Sequence, residues 1–365
     1  MASRFLFSLL LLLPLFAGAG AATCNPADRQ ALLAIRDALK EPFLGVFSSW
    51  TGNDCCKWYA VGCDPTTGRV ADLSLRGESE DPILTRSGLM TGRISPSVCR
   101  LTSLSTLILA DWKQISGPIP SCIPSSLPSL RILDLIGNRL SGPLPSNIGR
   151  LRHLTVLNVA DNQISGKIPR SLPSLSSLMH LDLSNNLISG SIPRNFGNLH
   201  MLSRALLARN SLGGSIPISI GSMPRLADLD LSHNHISGQI PATLGSSRVL
   251  SSLILDSNRI SGNIPASILK SQGLGILNLS RNSIAGEIPD VFSARSYFTA
   301  LDLSFNRLRG HVPRTLSSAT YVGHLDLSHN HLCGPIPTGP PFDHLDATSF
   351  AKNDCLCGSP LQSCV

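Results

Sequence analysis

The chain has 365 residues, of which 42% are hydrophobic, 5% aromatic and 15% charged, and its formal net charge at pH 7 is +7. Arginine outnumbers lysine 24 to 6, and aspartate outnumbers glutamate 19 to 4. Because lysine and glutamate commonly fill exposed helices, their scarcity excludes a predominantly helical protein, and the low aromatic content predicts an aliphatic core.

The first segment of the chain, residues 1–22, predicts a secretory signal peptide. Arg4 precedes an apolar run from Phe5 to Phe16, and small residues follow it. The run is short for a membrane span, no later segment has a 20-residue apolar run, and no hydrophobic tail precedes Val365. We therefore expect a secreted protein of the apoplast or cell wall, without a membrane span.

Ten cysteines are concentrated near the two ends of the mature chain. They are Cys24, Cys55, Cys56 and Cys63 near the start, Cys99 and Cys122 further on, and Cys333, Cys355, Cys357 and Cys364 near the end. In an oxidising compartment this distribution predicts disulfide-bonded caps. The alternative, a zinc site at the C-terminal CxC pair, lacks a second pair at zinc-ligand spacing, so we expect no metal.

A 24-residue repeat occupies most of the chain between these clusters. Its clearest copies are LDLIGNRLSGPLP, LDLSNNLISGSIP, LDLSHNHISGQIP, LNLSRNSIAGEIP and LDLSHNHLCGPIP. The repeat asparagines, 24 residues apart, are Asn138, Asn162, Asn186, Asn210, Asn234, Asn258, Asn282, Asn306 and Asn330. Looser copies around Leu107 and Leu73 bring the total to about eleven units.

Each unit reads LxxLxLxxNxLxGxIPxxLxxL, which is the leucine-rich-repeat pattern. In LxL the leucines point inward and the intervening residues outward, so stacked coils pair these strands into a parallel sheet. Asn ends the strand, Gly permits the bend and Pro prevents its continuation. The sequence therefore predicts a right-handed α/β-type solenoid with a parallel concave sheet, on the order of 50 Å long at about 4.8 Å per strand.

The GxIP element resembles the plant extracellular class of leucine-rich-repeat proteins. The segments CNPADRQALLAIRDALKEPFLGVFSSWTGNDCCKWYAVGC and LCGPIPTGPPFDHLDATSFAKNDCLCGSPLQSC resemble its two caps. The resemblance implies the disulfides Cys24–Cys55, Cys56–Cys63 and Cys333–Cys355, with Cys357–Cys364 as the fourth; Cys99 and Cys122, one coil apart, are near enough to pair. The domains are then the signal peptide (1–22), the N-terminal cap (23–68), the repeats (69–337) and the C-terminal cap (338–365).

Two irregular stretches narrow the resemblance further. LRGESEDPILTRSGLMTGRISPSVCRLTSLSTLILADWKQISGPIP and PFDHLDATSFAKNDCLCGSPL resemble the plant DNA-damage-repair/toleration subfamily, and the polygalacturonase-inhibiting proteins share the architecture more distantly. The residues nevertheless favour neither nucleic-acid binding nor catalysis. Gly166-Lys167 belongs to the repeat rather than to a phosphate loop, and no zinc finger, GxSxG or HExxH pattern occurs. We expect no enzyme, no cofactor and no nucleic-acid partner.

The charges predict two surfaces of opposite sign. From Arg69 to Pro337 there are 24 basic and 15 acidic residues. Eight arginines are expected on the sides and convex back: Arg150, Arg152, Arg170, Arg194, Arg225, Arg248, Arg295 and Arg314. Five aspartates are expected along the middle of the concave face: Asp134, Asp182, Asp230, Asp302 and Asp326. Solubility is one explanation of this distribution. The alternative is that the back contacts an acidic cell-wall polysaccharide, while the concave face prefers a basic partner.

The candidate partner-binding residues are those that depart from the Asp/Ser habit of the concave face in consecutive coils. They are Arg204, Leu206, Arg209, Asp228, Ile254, Asp256, Arg281 and Phe305. Their mixture of apolar and charged side chains is typical of a recognition surface, and drift at solvated positions is the alternative. We expect a protein or peptide partner here, or else inhibition of a cell-wall-degrading enzyme such as polygalacturonase.

Two smaller features remain. The histidines around His324, His329 and His331 are expected to be surface residues rather than metal ligands. Asn278 begins the single NxS/T glycosylation signal of the chain and is predicted on a concave strand, where a glycan would obstruct nearby binding.

Overall fold

The computed structural model describes residues 23–77, 88–339 and 342–364. The predicted signal peptide, residues 1–22, and most of the insertion after the first repeat, residues 78–87, lie outside the described residues. The rest of the chain winds into successive coils whose strands form two long sheets.

The first sheet, here called the concave sheet, contains eleven parallel strands from the LxL positions and one antiparallel strand at its N-terminal end. Its strands are Val61–Cys63, Val70–Arg76, Thr106–Ala110, Ile132–Asp134, Val156–Asn158, His180–Asp182, Arg204–Leu206, Asp228–Asp230, Ser252–Ile254, Ile276–Asn278, Tyr297–Asp302 and Tyr321–Asp326. The register places each inward leucine beside its equivalent, as with Leu133, Leu157 and Leu181. The predicted number of coils and the predicted parallel sheet are confirmed.

The second sheet, here called the lateral sheet, was not predicted. In the repeats its strands are formed by the residues that follow the repeat asparagine. The strands of this sheet are Leu39–Lys40, Met90–Arg93, Lys113–Gly117, Arg139–Pro143, Gln163–Lys167, Leu187–Ser191, Ser211–Gly214, His235–Gly238, Arg259–Gly262, Ser283–Glu287, Arg307–Gly310, His331–Pro335 and Cys355–Cys357. Each repeat strand buries one aliphatic side chain, such as Ile164, so its sequence lacks the alternation that normally identifies a strand.

Short helices close most coils on the convex side. The α-helices are Pro26–Asp37, Ile123–Ser126 and Ala266–Leu269; the 3₁₀ helices are Cys55–Lys57, Pro96–Arg100, Ile148–Arg150, Leu172–Ser174, Phe196–Asn198, Ile218–Ser222, Ala242–Ser246, Arg314–Ser318 and Ala347–Phe350. The longest belongs to the N-terminal cap. There Asn25 accepts a hydrogen bond from the Ala27 N–H at 2.9 Å, and the buried Asp28 pairs with Arg69 at 2.8 Å.

The repeat asparagines bind adjacent coils together. The Asn234 amide donates to the carbonyls of Leu231 and Ser232 in its own coil and to that of Leu207 in the preceding coil, at 3.0 to 3.1 Å. Its oxygen accepts from the Leu212 N–H at 2.9 Å. Because one buried side chain satisfies four backbone groups, replacing it would leave those groups without their partners.

The core is a single aliphatic cluster running from cap to cap, with aromatic packing concentrated at the ends. Trp50 and Trp58 stack with ring centroids 5.3 Å apart, and each indole N–H donates to a backbone carbonyl. Five disulfides are present: Cys24–Cys55, Cys56–Cys63, Cys99–Cys122, Cys333–Cys355 and Cys357–Cys364. These are the pairs that the resemblance implies, together with the pair expected between neighbouring coils.

Candidate functional site

The outward face of the concave sheet has a central column in which one residue of each coil lies beside its equivalent. The column contains Ile108, Asp134, Asn158, Asp182, Leu206, Asp230, Ile254, Asn278, Asp302 and Asp326. The five aspartates singled out in the sequence therefore lie in one row. Two aliphatic residues, Leu206 and Ile254, interrupt that row on either side of Asp230.

The aspartates of the central column also have a structural role that the sequence pattern did not reveal. In Asp182, Asp230 and Asp302 the carboxylate accepts a hydrogen bond at 2.9 Å from the N–H of the serine two residues later. This arrangement ends the strand, as an Asx turn does. Aspartate is therefore frequent here because it shapes the turn, and the replacements at Leu206 and Ile254 give up that hydrogen bond.

Arg204 and Asp228 form an ion pair across adjacent coils, with Nε 3.2 Å from a carboxylate oxygen. The two side chains are 52% and 34% exposed, so solvent screens the pair and its net contribution to stability is small. His180 lies beside Arg204 in the same register. Burial lowers the pKa of His180, and the charge of Arg204 lowers it further.

Asp256 is the most enclosed carboxylate among the eight candidate residues. It lies 3.5 Å from His233, accepts a hydrogen bond from the Ser257 hydroxyl at 3.0 Å, and faces the Asn278 amide at 3.4 Å. Burial raises its pKa above the ordinary value near 3.8, and the hydrogen bond from Ser257 offsets part of that shift.

One further column, here called the edge column, consists of the residue immediately before each repeat asparagine and its equivalents in the flanking coils. Its members are Asp111, Gly137, Asp161, Asn185, Arg209, His233, Ser257, Arg281, Phe305, His329 and Lys352. All have left-handed backbone conformations, with φ between 51° and 69°. Gly, Asn, Asp and His tolerate this region, whereas arginine and phenylalanine cost about 1 kcal/mol or more there.

Three edge-column residues form a continuous stack, here called the edge stack: Arg281, Phe305 and His329. The Arg281 guanidinium carbon lies 4.1 Å from the Phe305 ring centroid. The His329 ring lies 3.9 Å from the same centroid, at an interplanar angle of 12°. Two of these residues were candidates from the sequence. His329 was not, although the repeated SHNH phrase placed a histidine directly before the asparagine.

The structure places all eight sequence-predicted residues on the concave side, in five consecutive coils. It brings them together as local groups: Arg204 with Asp228, and Arg281 with Phe305. Asp256 instead pairs with His233, which the sequence reasoning omitted. Whether these groups contact a partner stays a prediction.

Asn278, the predicted glycosylation site, lies in the central column between Ile254 and Asp302. Its oxygen accepts hydrogen bonds from the Ser280 N–H at 3.0 Å and from the Ser280 hydroxyl at 2.8 Å. A glycan at this position would cover the middle of the candidate surface, so its presence stays a prediction that bears directly on binding.

Potential metal ligands are few in the part of the chain that the structure describes. There, the one group of three such side chains within 4.8 Å is Cys24, Cys55 and Cys56, whose sulfur atoms are in disulfides. His329 is in the edge stack, and His331 lies 3.1 Å from Asp354.

The convex side carries the predicted arginines, all eight of which are exposed. A groove of about 1180 Å³ crosses the GxIP corners of four coils. Lys167, Arg170 and Arg194 line it above a floor of prolines and aliphatic residues, and its lining residues, all within the described chain, include no carboxylate.

Comparison with known families identifies the N-terminal cap and several coils. The leucine-rich-repeat N-terminal domain family matches residues 25–64. Leucine-rich-repeat families match residues 152–212 and also 129–151, 225–247, 273–294 and 322–341. No helix within the described residues is long and apolar enough to cross a membrane.

Two curated relatives are similar over part of their length. The DNA damage-repair/toleration protein DRT100 of Arabidopsis thaliana is 58% identical over 122 residues, which are 32% of this chain and 32% of that protein. A polygalacturonase inhibitor of Vitis vinifera is 39% identical over 101 residues, 27% of each chain. The matched segments thus span about a third of these relatives or less.

Two solved structures are similar over more of this chain. The crystal structure of a plant ice-binding protein is 31% identical with a TM-score of 0.69, covering 94% of this chain and 99% of that one. The ectodomain of the Arabidopsis thaliana receptor kinase GASSHO1/SCHENGEN3 was solved with CASPARIAN STRIP INTEGRITY FACTOR 2. It is 31% identical with a TM-score of 0.74, and the match covers 84% of this chain and 36% of that one. Repeats, cap and two-sheet solenoid agree with these matches, and the chain therefore belongs to the plant leucine-rich-repeat family.

Proposed function

We propose that this chain is a secreted, non-enzymatic recognition protein that binds a protein or peptide partner through its concave face. The disulfide-bonded caps suit an oxidising extracellular compartment. The similar GASSHO1/SCHENGEN3 ectodomain was solved in complex with CASPARIAN STRIP INTEGRITY FACTOR 2, and this supports the proposal.

The observation that carries the proposal is the concentration of departures from the repeat in five adjacent coils of one face. Leu206 and Ile254 expose aliphatic surface where the repeat favours Asp, and Arg209, Arg281 and Phe305 occupy left-handed positions that they do not favour. These substitutions cost hydrogen bonds or backbone energy. They bring no packing to the core, which supports a role in binding.

The test is a pull-down from plant extracellular fluid with the purified protein and the variant Arg204→Glu, Leu206→Asp, Arg281→Glu. The matched control is Arg150→Glu, Ile218→Asp, Arg248→Glu, which makes the same changes of type on the convex side. A partner retained by the parent and the control, and lost by the concave variant, is the expected result. Equal recovery by all three folded proteins would overturn the concave-face proposal.

Inhibition of a cell-wall-degrading enzyme is the second candidate, and it rests on the similarity to the grapevine polygalacturonase inhibitor. It uses the same concave face and differs in the partner. A purified endo-polygalacturonase assayed with a molar excess of this protein separates the candidates. Inhibition that is lost in the concave variant would establish the second, and undiminished activity would reject it for that enzyme.

The basic convex side supports a separate contact with acidic cell-wall polysaccharide. In the described chain, Arg170 and Arg194 lie in adjacent coils of the convex groove with no carboxylate lining it. Retention of the protein on immobilised polygalacturonate, eluted by salt and weakened in Arg170→Gln, Arg194→Gln, is the expected behaviour. Retention unchanged by that double substitution would exclude the groove as the contact.

A further inference from the structure

Arg281, in the edge column, differs from Arg204, which lies on a strand of the concave sheet. Arg204 is neutralised by Asp228 at 3.2 Å, whereas the described residues offer Arg281 no carboxylate. Its guanidinium is instead held against the face of Phe305. Stacking fixes the plane of the group and leaves its in-plane N–H donors directed to solvent. An immobilised, unpaired guanidinium is a ready receptor for a carboxylate.

Two residues of the edge stack have backbone conformations that their residue types do not favour. Arg281 and Phe305 have φ values of 53° and 52°, in a column where Gly137 and Asn185 satisfy the same requirement without strain. The stack lies at the margin of the sheet, so it contributes nothing to the aliphatic core. Strain held at positions outside the core points to a role in binding.

The edge column ends in a second cation. Lys352 lies one coil beyond His329, because the His329 N–H donates to the carbonyl of Ala351 as edge-column residues do throughout the repeats. Its φ is 59° and its side chain is exposed. The next residue, Asn353, repeats the asparagine hydrogen bonds to Leu327 and Leu332. Over four consecutive coils the column therefore contains a cation, two aromatic rings and a second cation, in that order.

The spacing of this column matches an extended peptide. Three coils at about 4.8 Å separate Arg281 from Lys352 by roughly 14 Å. Four residues of extended chain at about 3.4 Å cover the same distance, and residues i, i+2 and i+4 of such a chain point to the same side. Acidic side chains at i and i+4 would reach the two cations, while residue i+2 would lie over Phe305 and His329.

We propose that the edge stack and Lys352 form a receptor for an extended acidic peptide segment of the form acid-x-apolar-x-acid, crossing the last coils. The inference rests on the proposed concave-face function and names the chemistry of the partner segment. Arg281 forms the bidentate carboxylate contact, Phe305 and His329 supply the apolar contact, and Lys352 attracts the second carboxylate.

The test uses a fluorescently labelled, capped peptide of sequence EAFAE and a rearranged peptide AEFEA of the same composition, measured by fluorescence anisotropy. EAFAE is expected to bind more tightly than AEFEA. Arg281→Gln should weaken EAFAE binding about tenfold through loss of the charged fork, and Phe305→Leu by a smaller factor with the charge intact. Arg259→Gln is the matched control, since Arg259 is an exposed arginine of the lateral sheet and is not a candidate binding residue, and it should change the affinity less than about twofold.

Three results would overturn the inference. Absence of EAFAE binding to the wild-type protein would reject the receptor. Equal binding of both peptides would show attraction by charge alone, and equal weakening by Arg259→Gln and Arg281→Gln would show the same. Arg281→Lys serves if Arg281→Gln is unstable, because it keeps the charge and loses the fork. Loss of the extracellular partner in Arg204→Glu, Leu206→Asp, with any of these results, would leave the concave-face proposal standing.

Discussion

The first four coils and the following coils of the edge column make different use of one backbone requirement. Each described coil from Asp111 to Lys352 has a left-handed residue at this position. The early coils supply residues that tolerate it, namely Asp111, Gly137, Asp161 and Asn185. The later coils are mixed: His233 and His329 tolerate it, whereas Arg209, Ser257, Arg281 and Phe305 do not favour it. The fold sets the conformation at each position, and several of the later side chains are ones that this conformation does not favour.

The largest expected effect tests whether the scaffold is the same in both regions. Asn162→Ala and Asn306→Ala should each destabilise the protein by about 3 kcal/mol, because each removes an oxygen that accepts a backbone N–H and an amide that donates to three carbonyls. Urea denaturation measures both. The neighbouring substitutions Gln163→Ala and Arg307→Ala are the controls and should change little. A much smaller cost at Asn306 would show that the later coils are already loosened.

A reciprocal exchange within the edge column tests the strain itself. Asn185→Arg should destabilise by about 1 kcal/mol, since it brings a disfavoured residue to φ 51° and removes the hydrogen bond from its amide to Asp161. Arg209→Asn should stabilise by up to about 1 kcal/mol, since it relieves the strain at φ 54° and removes no ion pair from the described residues. Thermal denaturation measures the two shifts, and shifts of the same sign would contradict the comparison.

The smallest expected effect concerns Asp256, beside Ser257 in the later coils. Burial raises its pKa, so the folded protein holds the proton more tightly than the unfolded chain. Its contribution to stability therefore falls as pH rises from the unfolded value near 3.8 through the higher folded value. Asp256→Asn should be favoured over wild type more at pH 7 than at pH 3, where Asp256 is protonated in both states. Denaturation at the two pH values measures this, and a larger advantage at pH 3 would contradict it.

The concave sheet could be predicted because its residues carry a strong periodic pattern. Paired leucines such as Leu181 and Leu183 identify the inward face, and Asn186 ends the strand at a constant interval. The lateral sheet could not be predicted, since a strand such as Gln163–Lys167 buries only Ile164 and contains Gly166 at φ 79°. Its strands exist because stacked coils align their backbone groups, which is a property of the assembled solenoid.

The candidate site divides in the same way. Arg281 and Phe305 could be selected from the sequence because each differs from the residues at the same position in other repeats. The contact between them, the inclusion of His329 and the continuation to Lys352 required the coil spacing. The pairing of Asp256 with His233 also required the coil spacing, because the two residues are 23 positions apart in the chain and meet only across adjacent coils.

The sequence by itself determined the solenoid, because burying the leucines of one coil requires the next coil at a fixed interval. It also determined where the surface departs from its own pattern. The tertiary structure decided which of those departures touch, which arginine pairs with a carboxylate and which lies against an aromatic ring, because ion pairs and stacking depend on distances of a few ångströms between coils. A 24-residue period does not predict the 3.2 Å between Arg204 and Asp228 or the 4.1 Å between Arg281 and Phe305.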